Sequence, residues 1–227
     1  RVAAGESAVA FRSDWPFAEN FLRVCTAREV TPTEVRAFEQ ALIAYSEHEL
    51  PNSTFAARVV ASTLSDAYGA LIAAVASLKG PLHGGANEAV SAMLQEAKTP
   101  DGLERLIHAR LARKERIMGF GHRVYMRRMD PRAQLLKEVL KDLGATELLA
   151  MCERGEAVMR AEKGLYPNLD YYAAPLYTAL GIPQELYTPI FFAARSAGLL
   201  AHIIEQHREN RLYRPRARYT GPTGLQL

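Results

Sequence analysis

Three histidines and one aspartate stand in local contexts that could do chemistry together. His48 lies in Ser46-Glu47-His48-Glu49-Leu50, His83 in Pro81-Leu82-His83-Gly84-Gly85-Ala86-Asn87-Glu88, and His122 in Gly119-Phe120-Gly121-His122-Arg123-Val124-Tyr125. Asp170 follows Pro167-Asn168-Leu169. A base, an acid and an electrophile are what proton abstraction beside a carbonyl requires. Each residue also has a structural alternative. Histidine can be satisfied inside a core, and either Asn168 or Asp170 can cap the helix that starts after Pro167. A carboxylate at a helix start is favoured by the dipole and stays ionised, so Asp170 can serve both ends. Arg195, in Phe192-Ala193-Ala194-Arg195-Ser196-Ala197-Gly198, is a cation in an apolar helix. It needs a partner there, either a ligand carboxylate or a buried glutamate.

The elements that must position these residues read as helices. Thr31, Pro32 and Glu34 form a capping box ahead of a helical period at Val35, Phe38, Leu42 and Ile43. From a cap at Asn52 or Ser53 the chain runs without proline to Leu78, which predicts one rod of ~39 Å. Its many small residues, Ala57, Ala61, Gly69, Ala70 and Ala74 among them, suit close approach of another helix, either inside one chain's core or across a subunit interface. Lys79-Gly80-Pro81 ends that rod. Further helices are expected over 87–97, 102–114, 132–143, 146–163, 169–180 and 186–208. No stretch shows sustained period-2 alternation. The fold class is therefore all-α, with at most a small hairpin near the C-terminus. The glycines at 84 and 85 and the break at 181–183 are hinge candidates. They delimit a small domain over 85–185, between parts of a larger one at 1–84 and 186–227.

Composition sets the frame. The 227 residues are 48% hydrophobic and carry a formal net charge of +3. That balance suits an anionic substrate and does not by itself call for nucleic acid. No apolar run reaches the ~18–20 residues of a membrane span, and no signal peptide opens the chain. Cys25 and Cys152, distant and without metal spacing, read as reduced buried thiols of a cytoplasmic protein. No metal site and no nucleic-acid or membrane partner is expected. The arginines at 208, 211, 214, 216 and 218, with Tyr213 and Tyr219 between them, could form a nucleic-acid arm, a solvated tail or a substrate or subunit contact.

Five segments occur together in an order that resembles the citrate synthase family, including 2-methylcitrate synthases. They are Leu82-His83-Gly84-Gly85-Ala86-Asn87-Glu88, Gly119-Phe120-Gly121-His122-Arg123-Val124-Tyr125, Asp130-Pro131-Arg132-Ala133, Pro167-Asn168-Leu169-Asp170 and Arg214-Pro215-Arg216-Ala217. The resemblance runs from about Phe17 to the C-terminus. It implies condensation of acetyl-CoA with oxaloacetate, with Asp170 as base, His83 as enolate stabiliser and His122 as the group that polarises the ketone. His48, Arg132, Arg195 and Arg214 would bind the oxo acid. Lys114, Arg116, Met118, Gly119, Phe120, Gly121, Arg127 and Arg128 would bind the coenzyme, itself a substrate, so no separate cofactor is implied. A homodimer with Arg214 acting across the two-fold axis is also implied.

Family members carry a long helical segment ahead of the point where this chain begins at Arg1. A protein that truly began there is expected to expose apolar surface and to be weakly active or to aggregate. Three departures matter. Pro51-Asn52-Ser53-Thr54 replaces an Asn-Ala-Ser-Thr-like stretch, which puts a contact near His48 in question. One extra residue separates His122 from Arg132, so Met126 to Met129 must bulge. Tyr171-Tyr172-Ala173-Ala174 replaces an aromatic-Ser-Gly sequence and could alter the acyl pocket. The competing expectations are a propionyl-CoA-dependent enzyme and a non-catalytic member of the same fold.

Overall fold

The computed structural model describes residues 5, 7, 9–80 and 82–224. Pro81, placed above in the first motif and at the end of the rod, lies outside the described residues. Among the described residues ten α-helices follow one another: α1 (Phe17–Thr26), α2 (Pro32–Ser46), α3 (Asn52–Ala61), α4 (Ala67–Leu78), α5 (Ala86–Ala97), α6 (Pro100–Ala112), α7 (Pro131–Asp142), α8 (Thr146–Lys163), α9 (Leu169–Ala179) and α10 (Tyr187–Arg208). A 3-10 turn at Gln184–Leu186 leads into α10. The described residues contain no strand, so the chain is all-α. Their one isolated bridge pairs Phe120 with Pro167, away from the C-terminus.

Local chemistry sets most boundaries. Thr31 accepts from the Glu34 amide, and Glu34 accepts from the Thr31 amide, which completes the capping box of α2. Proline opens α2, α6 and α7, where its missing N–H costs nothing.

The single rod expected over 52–78 is two helices. Ser62 and Thr63 turn their hydroxyls back onto the carbonyls of Val59 and Val60, and Leu64 takes a left-handed conformation at φ 64°. Asp66 then caps α4 by accepting from the Gly69 amide at 2.8 Å. Short polar side chains that bond local backbone compete with helix continuation, and here they win. The small residues face inward rather than across a rod. Ala57, Ala61, Ala70 and Ala74 form a tight core with Leu199 and Ile203, so α3, α4 and α10 pack closely within the chain.

A larger core joins α1 and α2 to α5–α9 and the start of α10. Phe38, Tyr45, Tyr177 and Tyr187 are buried in it. Cys25 and Cys152 are both free and buried, and burial pushes both thiols up, Cys25 to about 11. Helix α10 lies against the end of α2 at Gly198. A Cβ there would strike the Ser46 carbonyl and the Glu47 carboxylate. That close approach brings Arg195, one turn earlier, onto α2.

Candidate active site

A cavity of about 920 Å³ opens where these pieces meet. Its walls come from the chain after α2, the first turn of α3, the segment after α4, the loop before α7, Arg132 on α7, the start of α9, and Phe191 and Arg195 on α10. His48, His83, His122 and Asp170 all line it, although they are far apart in sequence.

His83 sits just beyond α4, where its amide donates to the Gly80 carbonyl and the Gly84 amide to the Leu78 carbonyl. Its Nε2 lies 2.8 Å from Ser53 Oγ and 3.4 Å from the Ser53 amide. A backbone N–H can only donate, so Nε2 is an acceptor and the ring proton resides on Nδ1. Burial, and then the nearby Arg195 charge, lower the pKa of His83. The ring is therefore neutral at pH 7 with one N–H to give.

The same argument orients His122. The Val124 amide donates to its Nδ1 at 3.0 Å, which leaves the proton on Nε2. Burial is the main cause that lowers its pKa as well. The ring stands 5.0 Å from that of His48, and both meet Tyr125, whose hydroxyl is 3.1 Å from His48 Nε2. His48 is pushed down chiefly by burial, with Arg132 adding to the effect.

Asp170 is the second residue of α9. Asn168 caps that helix by accepting the Asp170 amide, so the capping role belongs to Asn168 and the aspartate side chain is left for the cavity. The hydroxyl of Tyr45 donates to Asp170 Oδ1 at 2.7 Å. Burial pushes the Asp170 carboxyl up to about 6, against the opposing pull of the Tyr45 hydrogen bond, Arg132 and Arg195. Such a carboxylate is ionised at neutral pH yet basic for its type, which suits a general base.

Two guanidinium groups complete the floor. Arg132 forks onto Asp130, with Nε 3.1 Å from Oδ1 and Nη2 2.6 Å from Oδ2. Asp130 is fully buried and also caps α7. Arg195 is only 2% exposed. Its Nε donates to the Tyr45 carbonyl at 2.6 Å, its guanidinium lies 4.9 Å from the Phe191 ring centre, and its Nη1 is buried without a hydrogen-bond partner. A carbonyl and a ring hold this cation within the chain, not a buried glutamate. Burial pulls its pKa down to about 10, and it remains charged.

The remaining residues singled out in the sequence divide. Arg116, Met118, Gly119, Phe120 and Gly121 line the cavity. Gly119 has φ 87°, and a Cβ there would come within 2.8 Å of Val90 and 2.9 Å of Tyr171, so this loop can lie against the core only with glycine. Lys114, Arg127 and Arg128 do not line the cavity. Arg128 instead stands 5.7 Å from the Tyr125 ring. Arg214 is also outside it, on an exposed tail where Nη1 donates to the Pro215 carbonyl. Residues just before it fasten that tail: Tyr213 bonds Ser62 and stacks on Phe55 at 6.0 Å.

Four residues were not picked out as site residues from the sequence: Tyr45, Ser53, Tyr125 and Asn168. Asn168 links two walls, because its Nδ2 donates to the Gly121 carbonyl while its Oδ1 caps α9. Pro51 stands just ahead of α3 and leaves Ser53 free to meet His83. Among the described residues no group of three or more side chains could hold a metal ion, and no helix is long and apolar enough to cross a membrane.

Comparison with known proteins identifies the family. The family model described as "Citrate synthase, C-terminal domain" matches residues 1–216. The citrate synthase of Heyndrickxia coagulans is 61% identical over 218 residues, covering 94% of this chain and 58% of that protein. The citrate/2-methylcitrate synthase of Bacillus subtilis is also 61% identical, over 91% of this chain and 56% of that protein. This chain thus spans less than two thirds of the curated relatives it matches. The citrate synthase of Thermoplasma acidophilum, solved as a ternary complex with carboxymethyl coenzyme A and oxaloacetate, superposes with a TM-score of 0.89 at 38% identity, over 99% of this chain and 62% of that one. Motif order, helical frame and a match across nearly the whole length agree: this chain belongs to the citrate synthase family.

Proposed function

We propose that the protein containing this chain condenses acetyl-CoA with oxaloacetate and water to give citrate and CoA. The observation that carries this reading is one cavity holding a basic carboxylate, two neutral histidines with defined N–H donors, and two guanidinium groups. Asp170 removes a proton from the acetyl methyl group while the Nδ1–H of His83 donates to the thioester oxygen. A neutral imidazole stabilises the enolate without protonating it beforehand. The enolate carbon then bonds to the ketone carbon of oxaloacetate. The Nε2–H of His122 donates to the ketone oxygen as it becomes an alkoxide, and hydrolysis of citryl-CoA follows. His48, Arg132 and Arg195 bind the oxo-acid dianion; the unpartnered Nη1 of Arg195 keeps hydrogen-bonding capacity that a carboxylate oxygen can satisfy. Arg116 and the segment 118–121 face the coenzyme. Lys114, Arg127 and Arg128 reach it only if the loop rearranges on binding.

The test is release of free CoA thiol. Release that requires both acetyl-CoA and oxaloacetate, and that falls about 10²–10⁴-fold in His122→Gln, is expected. No oxaloacetate-dependent thiol release would refute the reading. A second reading, propionyl-CoA as the acyl donor, is favoured by the double name of the Bacillus subtilis relative. One methylene in a pocket is worth only ~1–3 kcal/mol, so the ratio of kcat/KM for the two thioesters decides it.

This reading includes a cytoplasmic homodimer, with 85–185 as a small domain that closes on 1–84 and 186–227. Arg214, outside its own chain's cavity, then completes the neighbour's site across the two-fold axis. Inactive Arg214→Ala subunits mixed with inactive Asp170→Ala subunits should regain activity, because one site of the heterodimer receives both defects and the other neither. Heterodimers that stay inactive would assign Arg214 to its own chain.

A further inference from the structure

Tyr45 has no part in the reaction as written, yet it touches two of its groups. Its hydroxyl donates to Asp170 Oδ1, and its backbone carbonyl accepts from Arg195 Nε. The residue is fully buried, with the Phe191 ring 4.5 Å and the Tyr177 ring 6.4 Å away. The last turn of α2 thereby links the start of α9 to the middle of α10.

We infer that Tyr45 is a positioning residue for enolisation: its hydroxyl holds the Asp170 carboxylate ionised and in place, while its carbonyl fixes the oxo-acid guanidinium, so that base and oxo-acid site keep one geometry. The inference rests on the citrate-forming reading above.

Several charged and polar groups surround the carboxylate. Arg132 faces it from α7 and Asp130 from the cap just ahead of that helix, Arg195 from α10, Tyr45 from α2 and Tyr177 from its own helix, and the three histidines share its cavity. Among the described residues only Tyr45 gives its side chain a hydrogen bond. That choice of donor matters chemically. A guanidinium in contact would make the carboxylate a poor base, because an opposite charge at ~4–6 Å already lowers a carboxyl pKa strongly. With no donor, burial would favour the protonated acid, which cannot accept a proton. A neutral phenol lies between these extremes. Burial and the neighbouring negative charge raise the Tyr45 pKa well above its ordinary value, so it remains a donor throughout the working pH range.

The decisive experiment follows the Asp170 carboxyl by 13C NMR across pH in the active protein, with Asp170→Asn to assign the signal. Two variants are compared with the parent: Tyr45→Phe, and a ring-fluorinated tyrosine at position 45, a stronger donor of the same shape. Tyr45→Phe should raise the Asp170 midpoint by about one pH unit, the size of one hydrogen bond to a charged group. The acid limb of kcat/KM should move with it, while oxaloacetate binding stays unchanged because the carbonyl remains. The fluorinated residue should move both downward. A midpoint that moves in neither variant overturns the inference. If Tyr45→Phe fails to fold, the fluorinated protein decides alone. Absence of citrate formation by the unaltered protein would overturn the proposed reaction and with it this role, whereas an unmoved midpoint in an active protein condemns Tyr45 alone.

Discussion

Asp170→Asn is expected to lower citrate formation by about 10²–10⁴-fold and, at neutral pH, to make the protein more stable. The first effect follows from chemistry. A carboxamide fills nearly the same space and can still accept from Tyr45, but it cannot take a proton from the acetyl methyl group. Oxaloacetate should still bind, and exchange of the methyl protons with solvent should cease. The second effect follows from burial. The Asp170 carboxyl titrates at about 6 in the folded chain against an ordinary 3.8. Below the ordinary value it is neutral in both states and costs nothing. As pH rises through this window the unfolded chain ionises first, and stability is lost until the folded carboxyl has ionised too. By pH 7 the shift is worth ~2–3 kcal/mol. The asparagine variant escapes that loss. Thermal unfolding should show it more stable than the parent at pH 7, with the two converging near pH 4. An equal difference at both pH values would show that Asp170 carries no buried-charge penalty.

Arg195→Met should weaken oxaloacetate binding by about 10²–10³-fold, the usual cost of removing one partner from a buried charge pair. The side chain is 2% exposed and its Nη1 lacks a protein partner. That leaves hydrogen-bonding capacity beyond its Tyr45 carbonyl bond for a ligand to use. Methionine keeps the apolar volume against Phe191 and removes a cation that burial already disfavours. Thermal stability without ligand should change far less than oxo-acid affinity, since a Tyr45 carbonyl bond is lost while a buried charge is relieved. Coenzyme affinity measured separately should be retained. Calorimetric titration showing undiminished oxaloacetate binding would remove Arg195 from the oxo-acid site.

Features that depend on a few adjacent residues were legible in the sequence. The Thr31 capping box, the prolines that open α2, α6 and α7, the glycines around His83 and His122, and the carboxylate at the start of α9 all act over about one helical turn. Local backbone chemistry decides them, so most helices and the four candidate side chains could be read off directly; α1, which lacks a side-chain cap, was not. The break between α3 and α4 was legible in principle, because Asp66 is an ordinary cap, but the absence of a proline between 52 and 78 suggested one helix. Tertiary structure decided what each reactive group touches. Ser53 meets His83 across 30 residues, Tyr45 meets Asp170 across 125, and Arg195 meets the Tyr45 carbonyl across 150. Those contacts exist because α10 packs on α2 closely enough to require glycine at 198 and because α9 starts beside the end of α2. Choice among the basic residues was tertiary as well. Arg116 reaches the cavity while Arg128 turns to Tyr125, an outcome set by how the loop before α7 lies on the core. Residue type and local order named the chemistry; packing between distant helices set the protonation states and tautomers on which that chemistry depends.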